Sequence, residues 1–553
     1  MENNSIEIIP KDAAGSIEEA TARFSGEEVA RRILERDHTL WSDSPEEICD
    51  RLGWLEVAEN SQNALEDLRA FREELIKDKF GRVLLLGMGG SSLAPELFAK
   101  VFPSGGGVAL SVLDSVLPDE ILKKEREHDP AETLYVVSSK SGTTVEVDTL
   151  MKYFYSKAVE KLGASEAGKH FIAITNPGTA LVRTAESLSF RKTFFYRPDI
   201  GGRYAALSPV GVIPAALIGM DLQKLLASAV REAKASREKG LSAGAKLGIA
   251  LGALALRGRD KLTLLTGEKI APFLDWLEQL VAESTGKDGK GIVPVIGEAL
   301  KPPSLYSSDR VFARILLPGE MLYEKELKAL AAAGHPVITI RLEDVYELGG
   351  QFFLWEYATA VACWLLEVHP FNQPDVEAAK KFAREVLAEY KIRGRSDEGE
   401  VALRDSLAEV YGETTGTDAI GAVKNFAKAA EEGGYIAVQA YLLRRGEVEK
   451  SLAGFREALS RWSGVPVTLG YGPRFLHSTG QLHKGGPKGG IFIQICAKDG
   501  EDIEIPGEGV TFGTLRTAQY LGDFQALKKS GKKVLRLKLR GDAAETIERL
   551  SRG

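Results

Sequence analysis

The chain has 553 residues, of which 44% are hydrophobic and 27% are charged, and its formal net charge is −7. This composition is typical of a folded protein with a sizeable core, and the length allows about three to four domains of roughly 150 residues each. The negative net charge argues against nucleic acid as a main partner, because a phosphate backbone requires a basic surface. The sequence has no run of about 18 apolar residues, so we expect no membrane-spanning helix and no membrane partner.

The cysteines and the first residues both indicate a reducing compartment. Cys49, Cys363 and Cys496 are far apart and have no metal-ligand spacing, which favours free thiols over disulfides or a metal centre. The chain begins without a basic segment followed by an apolar run, so no secretory signal is expected. We therefore predict a cytoplasmic protein.

Residues 1–75 are predicted to form a mostly helical N-terminal arm, because charged amphipathic stretches dominate this part of the chain. From 76 to 225, apolar runs alternate with helical patterns, which favours a doubly wound sheet of parallel strands. The predicted strands of this segment are 83–86, 108–112, 134–137 and 171–175, and its predicted helices are 92–101 and 145–162.

The alternation continues through residues 226–392, and a polar stretch at 394–399 is a candidate linker to a third unit at 393–553. The predicted strands are 261–265, 292–295, 311–316, 337–340, 435–443, 465–469, 491–495 and 534–539. The predicted helices are 222–239, 243–256, 271–283, 352–367, 375–390, 448–462 and 515–529. The fold class is therefore α/β, with two doubly wound, mainly parallel sheets and flanking helices, a helical N-terminal arm and a C-terminal α/β unit.

Two polar loops each follow an apolar run and precede a helical pattern. Residues 87–92 read Gly-Met-Gly-Gly-Ser-Ser, and residues 138–144 read Ser-Ser-Lys-Ser-Gly-Thr-Thr. At successive strand ends, such loops direct backbone N–H groups, hydroxyls and a helix N-terminus to one place, which suits a phosphate. Either loop alone could only cap its helix, but the two together favour a phosphate site. The candidate phosphate-binding residues are Gly90, Ser91, Ser139, Lys140, Ser141, Thr143 and Thr144, although the Lys140 side chain could point away.

The loops match neither the nucleotide P-loop nor the Rossmann fingerprint. Together with Gly-Gly-Arg-Tyr at 201–204, Glu-Ser-Thr-Gly-Lys at 283–287 and the segment 370–380, they resemble, in order, the motifs of the phosphoglucose isomerase family. The resemblance runs from about residue 80 to 385. It implies two sugar-isomerase (SIS) domains, of which 76–225 binds the phosphate and 226–392 carries catalytic groups.

Two further segments, 36–41 and 474–487, resemble the isomerase half of transaldolase–phosphoglucose isomerase fusion proteins. The chain is too short to hold the transaldolase barrel as well, so we expect isomerase activity alone.

The resemblance implies an aldose–ketose isomerase that interconverts glucose 6-phosphate and fructose 6-phosphate by ring opening and proton transfer through an enediolate. Such a reaction needs a base near the carbons, an acid or base near the ring oxygen, and a cation near the developing oxyanion. A dual glucose/mannose 6-phosphate isomerase is a second possibility, and a non-catalytic sugar-phosphate sensor is a third from another class. The resemblance implies no metal or other cofactor, and a homodimer.

By the same resemblance, Arg203 stabilises the developing negative charge and Lys380 assists ring opening near the sugar ring oxygen. Glu298, in the stretch 297–299, occupies the segment of the family's base, and Glu283 is the alternative. Without the resemblance, Arg203 could form a surface salt bridge and Lys380 would be an ordinary surface lysine. The residues expected beside the substrate are Gln279, Glu283 and Gln373.

The histidine that opens the ring in this family has no clean counterpart here. His335 and His369 lie in the expected part of the sequence, but neither matches the motif position. His477 and His483 lie six residues apart in a glycine-rich segment of the C-terminal unit. We hypothesise that one of this pair supplies the imidazole, from the same subunit or from a partner, and a structural role for the pair is the alternative.

Overall fold

The computed structural model describes residues 5–9, 13–102, 108–498 and 500–552. Its described strands form three mainly parallel sheets, and helices flank them. The α/β fold class predicted from the sequence is therefore confirmed.

Within its described residues, the N-terminal arm contains one strand and four α-helices. They are β1 (Ser5–Ile9), α1 (Ala14–Gly26), α2 (Val29–Leu34), α3 (Val57–Gln62) and α4 (Leu65–Lys77). Strand β1, where the sequence indicated a mostly helical arm, pairs antiparallel with residues 337–341 of the second sheet. Two tryptophans attach the arm to the body: Trp41 donates a hydrogen bond to the carbonyl of Ala360 (3.0 Å), and Trp54 is fully buried.

The first sheet has five parallel strands in the order β3-β2-β4-β5-β6. Its strands are β2 (Arg82–Leu86), β3 (Ala109–Leu113), β4 (Thr133–Ser138), β5 (Phe171–Thr175) and β6 (Lys192–Phe195). Its helices are α5 (Leu93–Val101), α6 (Pro118–Glu127), α7 (Val145–Leu162), α8 (Ala164–Ala167), α9 (Ala180–Ser187) and α10 (Pro209–Leu217). Strands β2 and β4 are neighbours, so the loops at 87–92 and 138–144 leave the same edge of the sheet.

The second sheet has the order β1-β10-β9-β7-β8 and is parallel except for β1. Its further strands are β7 (Lys261–Thr266), β8 (Val293–Ile296), β9 (Arg310–Leu316) and β10 (Val337–Arg341). Its helices are α11 (Leu222–Glu238), α12 (Ala243–Leu256), α13 (Pro272–Thr285), α14 (Glu324–Ala332), α15 (Leu348–Leu366) and α16 (Val376–Arg393). Every residue of α15 is buried, because the arm, α11, α12 and α13 enclose this apolar helix.

The third sheet has the order β11-β12-β16-β15-β13-β14. Its strands are β11 (Leu403–Arg404), β12 (Ala408–Tyr411), β13 (Tyr435–Tyr441), β14 (Val467–Tyr471), β15 (Gly490–Cys496) and β16 (Lys533–Leu539). Its helices are α17 (Ala419–Lys428), α18 (Gly446–Ser463), α19 (Gly480–Gly485), α20 (Phe512–Lys529) and α21 (Ala543–Leu550). The four strands β14, β13, β15 and β16 are parallel, and the fully buried β13 and β15 form the centre.

Among the residues that the structure describes, no single helix is long and apolar enough to cross a membrane. The consecutive helices α11 and α12 taken together are long and apolar enough for a membrane span, by length and composition only. They meet at a bend of 74°.

Small residues bring α12 and α15 into close contact. A Cβ atom added at Gly248 would lie 2.3 Å from the carbonyl oxygen of Ala358 and 2.7 Å from Cβ of Val361. One turn later, a Cβ at Gly252 would lie 2.8 Å from Leu365. The two helix backbones can therefore approach only because both positions lack a side chain.

We predict that Gly248→Ala lowers the free energy of unfolding by about 1–3 kcal/mol, because the added methyl must push two packed helices apart. Gly15→Ala, in α1, is the matched control, because nothing lies within 4 Å of the added Cβ. That substitution should leave the stability unchanged or raise it by up to about 1 kcal/mol through helix propensity. Denaturant unfolding measures both, and equal stabilities of the two variants would contradict the close packing.

Candidate active site

A cavity of about 240 Å³ lies between the first unit, helix α16 and the C-terminal unit. The loop before α7, the first turns of α16, the segment before α19, and α20 contribute to its wall. The lining residues that bear on function are Ser141, Thr143, Thr144, Glu146, Lys380 and His477. Residues that are far apart in the sequence, and that belong to three different units, therefore meet at one chamber.

The loop at 138–144 presents hydroxyls to this cavity. The hydroxyl of Ser141 lies 2.9 Å from that of Thr143, and the hydroxyl of Ser139 lies 3.0 Å from that of Thr144. Gly142 has a φ of +64°, which allows the loop to turn sharply before α7 begins. The N-terminus of an 18-residue helix and several hydroxyls therefore lie together, which is a favourable environment for an anion.

Lys140 does not contribute to this surface, contrary to the expectation from the sequence. Its Nζ donates a hydrogen bond to the carbonyl of Ile200 at 2.7 Å, and the residue is not part of the cavity wall. Burial, together with the nearby Arg51, lowers the pKa of the Lys140 ammonium to about 8. Lys140 therefore links the loop at 138–144 to the backbone at residue 200 of the first unit. Ser139 stabilises the same loop through the contact of its hydroxyl with that of Thr144.

The loop at 87–92 packs against the segment that carries Arg203. Gly90 and Ser91 do not line the cavity. A Cβ at Gly90 would lie 2.0 Å from the carbonyl oxygen of Gly202, so only glycine allows this loop to pack against residues 201–204. The loop therefore packs against the segment that carries Arg203 and against His477 of the cavity wall, and phosphate binding by Gly90 and Ser91 stays a prediction.

Arg203 is the centre of a buried polar cluster next to the cavity. Its side chain is 2% exposed and forms an ion pair with Glu283 at 3.0 Å. The guanidinium also donates to the hydroxyl of Ser284 (2.9 Å) and the side-chain oxygen of Gln373 (3.1 Å). Its remaining donors reach the carbonyl oxygens of the segment 370–372. Arg203, Glu283 and Gln373, to which the resemblance assigns roles at the site, are therefore in contact with one another.

Gln279 joins this cluster to the cavity. Its side-chain nitrogen donates to Glu283 at 3.0 Å and to the backbone carbonyl of His477 at 2.8 Å. Since His477 lines the cavity, the Arg203 cluster and the cavity form one continuous polar region.

Glu298, expected as the base, lies elsewhere. It follows β8, its carboxylate pairs with Arg310 of β9, and Lys301 lies 3.5 Å away. Glu298 does not line the cavity and is paired with two cations, whereas Glu283, which does not line the cavity either, is linked to the wall residue His477 through Gln279. This corrects the expectation: the carboxylate beside Arg203 is Glu283, the alternative from the sequence.

Lys380 extends from the second turn of α16 into the cavity wall. Its ammonium pairs with Glu377 at 2.8 Å, and its side chain is 47% exposed, so the charge is accessible to a ligand. Its neighbour Lys381 is exposed and does not line the cavity.

His477 is the histidine of the cavity. Its Nε2 atom lies 2.8 Å from Oε1 of Glu146, in the first turn of α7. Burial alone would raise the pKa of the Glu146 carboxyl, but the ion pair and hydrogen bond with His477 hold this pKa below its usual value. Gln519 of α20 donates to the same carboxylate oxygen at 2.7 Å. The Glu146 carboxylate that orients the imidazole is therefore itself held in place from a second side.

The other histidines discussed above have structural surroundings. His483 is buried between the rings of Phe475 and Phe492, and burial holds its pKa well below the usual value, which corrects its expected catalytic role. His335 packs between the rings of Tyr306 and Phe312. His369 accepts a hydrogen bond from the backbone of residue 371 and lies 3.1 Å from the carbonyl of residue 46, and burial lowers its pKa to about 4.

Buried contacts hold the segment 474–485 against the first two units. Arg474 pairs with Glu96 of α5 and, at 3.2 Å, with Asp114 after β3. Gln481 accepts a hydrogen bond from the backbone N–H of Asp375 at 2.9 Å and donates to the carbonyl of Gly286 at 3.0 Å. The C-terminal unit therefore fixes both its own histidine and the loop before α16.

Sequence reasoning missed Glu146 and Gln519. Glu146 lies two residues after the Thr-Thr of the loop at 138–144, so its place in the first turn of α7 was a usable signal. Gln519 lies in a helix of the third unit and has no local signal of function. Within the described parts of the chain, no group of three or more His, Cys, Asp or Glu side chains is arranged to hold a metal ion.

Part of the chain resembles known proteins in sequence. Residues 56–290 match the family model described as phosphoglucose isomerase. A glucose-6-phosphate isomerase of Thermus thermophilus is 29% identical over 388 residues, which cover 61% of this chain and 90% of that protein. That of Parabacteroides distasonis is 26% identical and covers 60% of this chain and 86% of its own length.

Solved structures share the fold. A hypothetical protein of Thermus thermophilus superposes with a TM-score of 0.59 at 27% identity, covering 69% of this chain and all of that one. A glucose-6-phosphate isomerase from Chlamydia trachomatis superposes with a TM-score of 0.52 at 18% identity, covering 71% of this chain and 89% of that one. The relatives are thus matched almost over their whole length, whereas about a third of this chain has no counterpart in them.

The Glu146 ion pair makes the stability depend on pH. A carboxyl whose pKa is lowered on folding stabilises the protein above the ordinary value of 4.5, and this contribution is lost as the pH falls through the folded-state pKa. We therefore predict that Glu146→Gln costs about 1–3 kcal/mol near neutral pH and that the difference from the wild type shrinks below about pH 4.

Denaturant unfolding at both pH values measures this difference. Glu160→Gln on the exposed face of α7, where the side chain is 77% exposed, is the control and should change the stability by less than about 0.5 kcal/mol. A deficit of Glu146→Gln that is the same at both pH values would contradict the ion pair.

Proposed function

We propose that this chain is an aldose–ketose isomerase that interconverts glucose 6-phosphate and fructose 6-phosphate. The observation that carries the proposal is the cavity at which the loop at 138–144, Lys380 and His477 meet. The Glu283–Arg203 pair lies next to this cavity. The phosphoglucose isomerase family match over residues 56–290 and the relatives of that name support the same reaction.

The phosphate end of the substrate is bound by the loop before α7. Ser141, Thr143 and Thr144 offer hydroxyls, and the helix N-terminus adds backbone donors. Lys380 and Arg384 also line the cavity and offer cations to a phosphate dianion, whereas the ammonium of Lys484 is already paired with Asp523 at 2.6 Å.

The isomerisation step moves a proton between C2 and C1. In the direction from aldose to ketose, the Glu283 carboxylate takes the C2 proton, the electrons form the C1–C2 double bond of the enediolate, and O1 bears the negative charge. Glu283 then returns the proton to C1 as the carbonyl forms at C2 and the O2 proton passes to O1. Arg203, paired with Glu283 at 3.0 Å, supplies the cation that favours this intermediate.

The presence of Lys380 in the cavity supports an enzyme rather than a protein that only binds the sugar phosphate. A sensor would need the loop at 138–144 alone, whereas this cavity also holds an accessible ammonium and a carboxylate-bound imidazole. We infer that Lys380 stabilises the oxygen that is released when the sugar ring opens.

Assembly, location and gene context belong to the proposal as well. We infer a homodimer in the cytoplasm, as the resemblance and the sequence suggest. The likeness to transaldolase–isomerase fusion proteins stays a prediction, because the segments that carry it, 36–41 and 474–487, lie outside the matched residues 56–290.

We predict that the wild type forms glucose 6-phosphate from fructose 6-phosphate and that Lys380→Ala lowers kcat/KM by at least about 100-fold. Lys381→Ala is the matched control, since it removes the same charge one residue away, outside the cavity. A coupled spectrophotometric assay measures both, and mannose 6-phosphate as an alternative substrate tests dual specificity. A wild type that binds fructose 6-phosphate without turnover would support a sensor instead.

We predict that Glu283→Gln, which keeps the shape of the side chain, lowers kcat by about 10²–10⁴-fold. Glu298→Gln removes the partner of Arg310, so it should lower the thermal midpoint while changing kcat only a few-fold. Steady-state kinetics and thermal unfolding of both variants compare the two carboxylates. The reverse pattern, with kcat lost only in Glu298→Gln, would restore Glu298 as the base.

A further inference from the structure

The C-terminal unit has a cavity of its own, of about 160 Å³, at the carboxyl edge of its sheet. Most of the wall comes from the segments that follow three neighbouring parallel strands: 442–445 after β13, 497–498 after β15 and 541–543 after β16. Leu117 and Asp119 of the first unit close one side. Among the described residues, this cavity and the one that contains Lys380 have no lining residue in common, so they are separate.

This third-sheet cavity lies where the chain leaves the sheet in two opposite directions. From β13 the chain runs through α18 to β14, and from the neighbouring β15 it runs through α20 to β16, on the other side. The two helices cover opposite faces: α18 shares a hydrophobic core with Ile436 and Val438 of β13, whereas α20 packs with Tyr435 and Tyr441 of the same strand. In parallel α/β sheets, such a point forms a crevice beyond the strand ends in which ligands bind.

The first two sheets have the same arrangement at their centres. In the first sheet the chain leaves β2 and β4 in opposite directions, and the loop at 138–144 after β4 carries the hydroxyls of the larger cavity. In the second sheet the corresponding point lies between β7 and β9, where the Glu320 carboxylate after β9 packs against Gly267 after β7. A carboxylate of the chain itself therefore fills that point, whereas the third sheet leaves a cavity there.

Side chains of both signs line the third-sheet cavity, with cations in excess. Its cations are Arg445, Lys498 and Arg516, and its carboxylates are Asp119 and Asp542. Arg445 donates to Asp542 through Nη2 at 2.9 Å, and no hydrogen bond between described residues involves its Nε or Nη1. Arg516 is buried and has a contact of its own within the chain, whereas Lys498 is exposed and forms no ion pair with a described residue. Arg445 and Lys498 can therefore donate to a ligand.

The third-sheet cavity also reaches the N-terminus of α18, a helix of 18 residues. Val448 in its first turn lines the cavity, whereas the acidic Glu447 and Glu449 of that turn do not. The N-cap residue Arg445 makes no side-chain cap hydrogen bond, so its side chain leaves the first N–H groups of the helix uncapped. The helix dipole and these N–H groups favour an anion at the same place as the two cations.

We propose that the third-sheet cavity is a second ligand site, which binds a small organic phosphate between the C-terminal unit and the first unit. The phosphate binds to Arg445, Lys498 and the first turn of α18, and Asp119 and Asp542 accept hydrogen bonds from hydroxyls of the ligand. The volume of about 160 Å³ is smaller than the 240 Å³ of the first cavity, so we expect a ligand smaller than a hexose phosphate. This site does not depend on the isomerase function.

Glycerol 3-phosphate is the probe, since it joins one phosphate to two hydroxyls. Titration calorimetry in phosphate-free buffer measures its binding, with excess fructose 6-phosphate present to occupy the first cavity. Lys498→Gln and Arg445→Gln should each raise the Kd at least about 10-fold, because each removes a charged donor to the phosphate. Lys488→Gln is the matched control and should bind as the wild type does, because this exposed lysine precedes β15 at the opposite edge of the sheet.

Further measurements separate this site from the first cavity. Glycerol, which has no phosphate, should not compete, and a soaked crystal should show the phosphate within about 3 Å of Nζ of Lys498. Isomerase turnover should be unchanged in Lys498→Gln and Arg445→Gln, because neither residue lines the first cavity. No binding, or equal affinity in the wild type and both variants, would overturn this proposal and leave the isomerase function intact. A wild type without turnover that binds the probe through Lys498 would refute only the isomerase function.

Discussion

The buried Arg203 side chain is the interaction on which the site depends. Its guanidinium binds Glu283, Ser284 and Gln373 and two carbonyl oxygens of the segment before α16, so one residue of the first unit holds two segments of the second. A buried cation with so many partners is costly to remove, because loss of one member of such a pair leaves an uncompensated charge, at about 3–5 kcal/mol. The close packing of Gly90 on Gly202 keeps Arg203 at this position.

The C-terminal unit belongs to the same arrangement. Its sheet has its own hydrophobic core, yet Arg474, His477 and Gln481 all bind residues of the first two units. A domain joined only by a linker would show few such buried polar contacts at its surface. The part of the chain beyond the family match therefore shapes the cavity, and a polar route leads from His477 through Gln279 to Glu283.

Local patterns predicted the α/β class and the loop that carries Ser141 and Thr143, whereas only the family resemblance pointed to Lys380, which lines the cavity. They failed where the deciding partner is distant in sequence. Strand β1 pairs with residues more than 300 positions later, and Glu298 is neutralised by Arg310 of another strand. His483 lies in a segment that looks like a polar loop but forms the buried helix α19. Spacing alone does not tell which of two histidines faces a cavity and which faces a core.

In this site the phosphate and the ring oxygen of one bound sugar are expected to lie at opposite ends of one cavity, which binding data alone do not test. A crystal structure with bound glucose 6-phosphate measures this directly. We expect the phosphate within hydrogen-bonding distance of the hydroxyls of Ser141 and Thr143, and O5 within about 3 Å of Nδ1 of His477. A phosphate bound elsewhere, or a ring oxygen that approaches the imidazole of a partner subunit, would contradict the account.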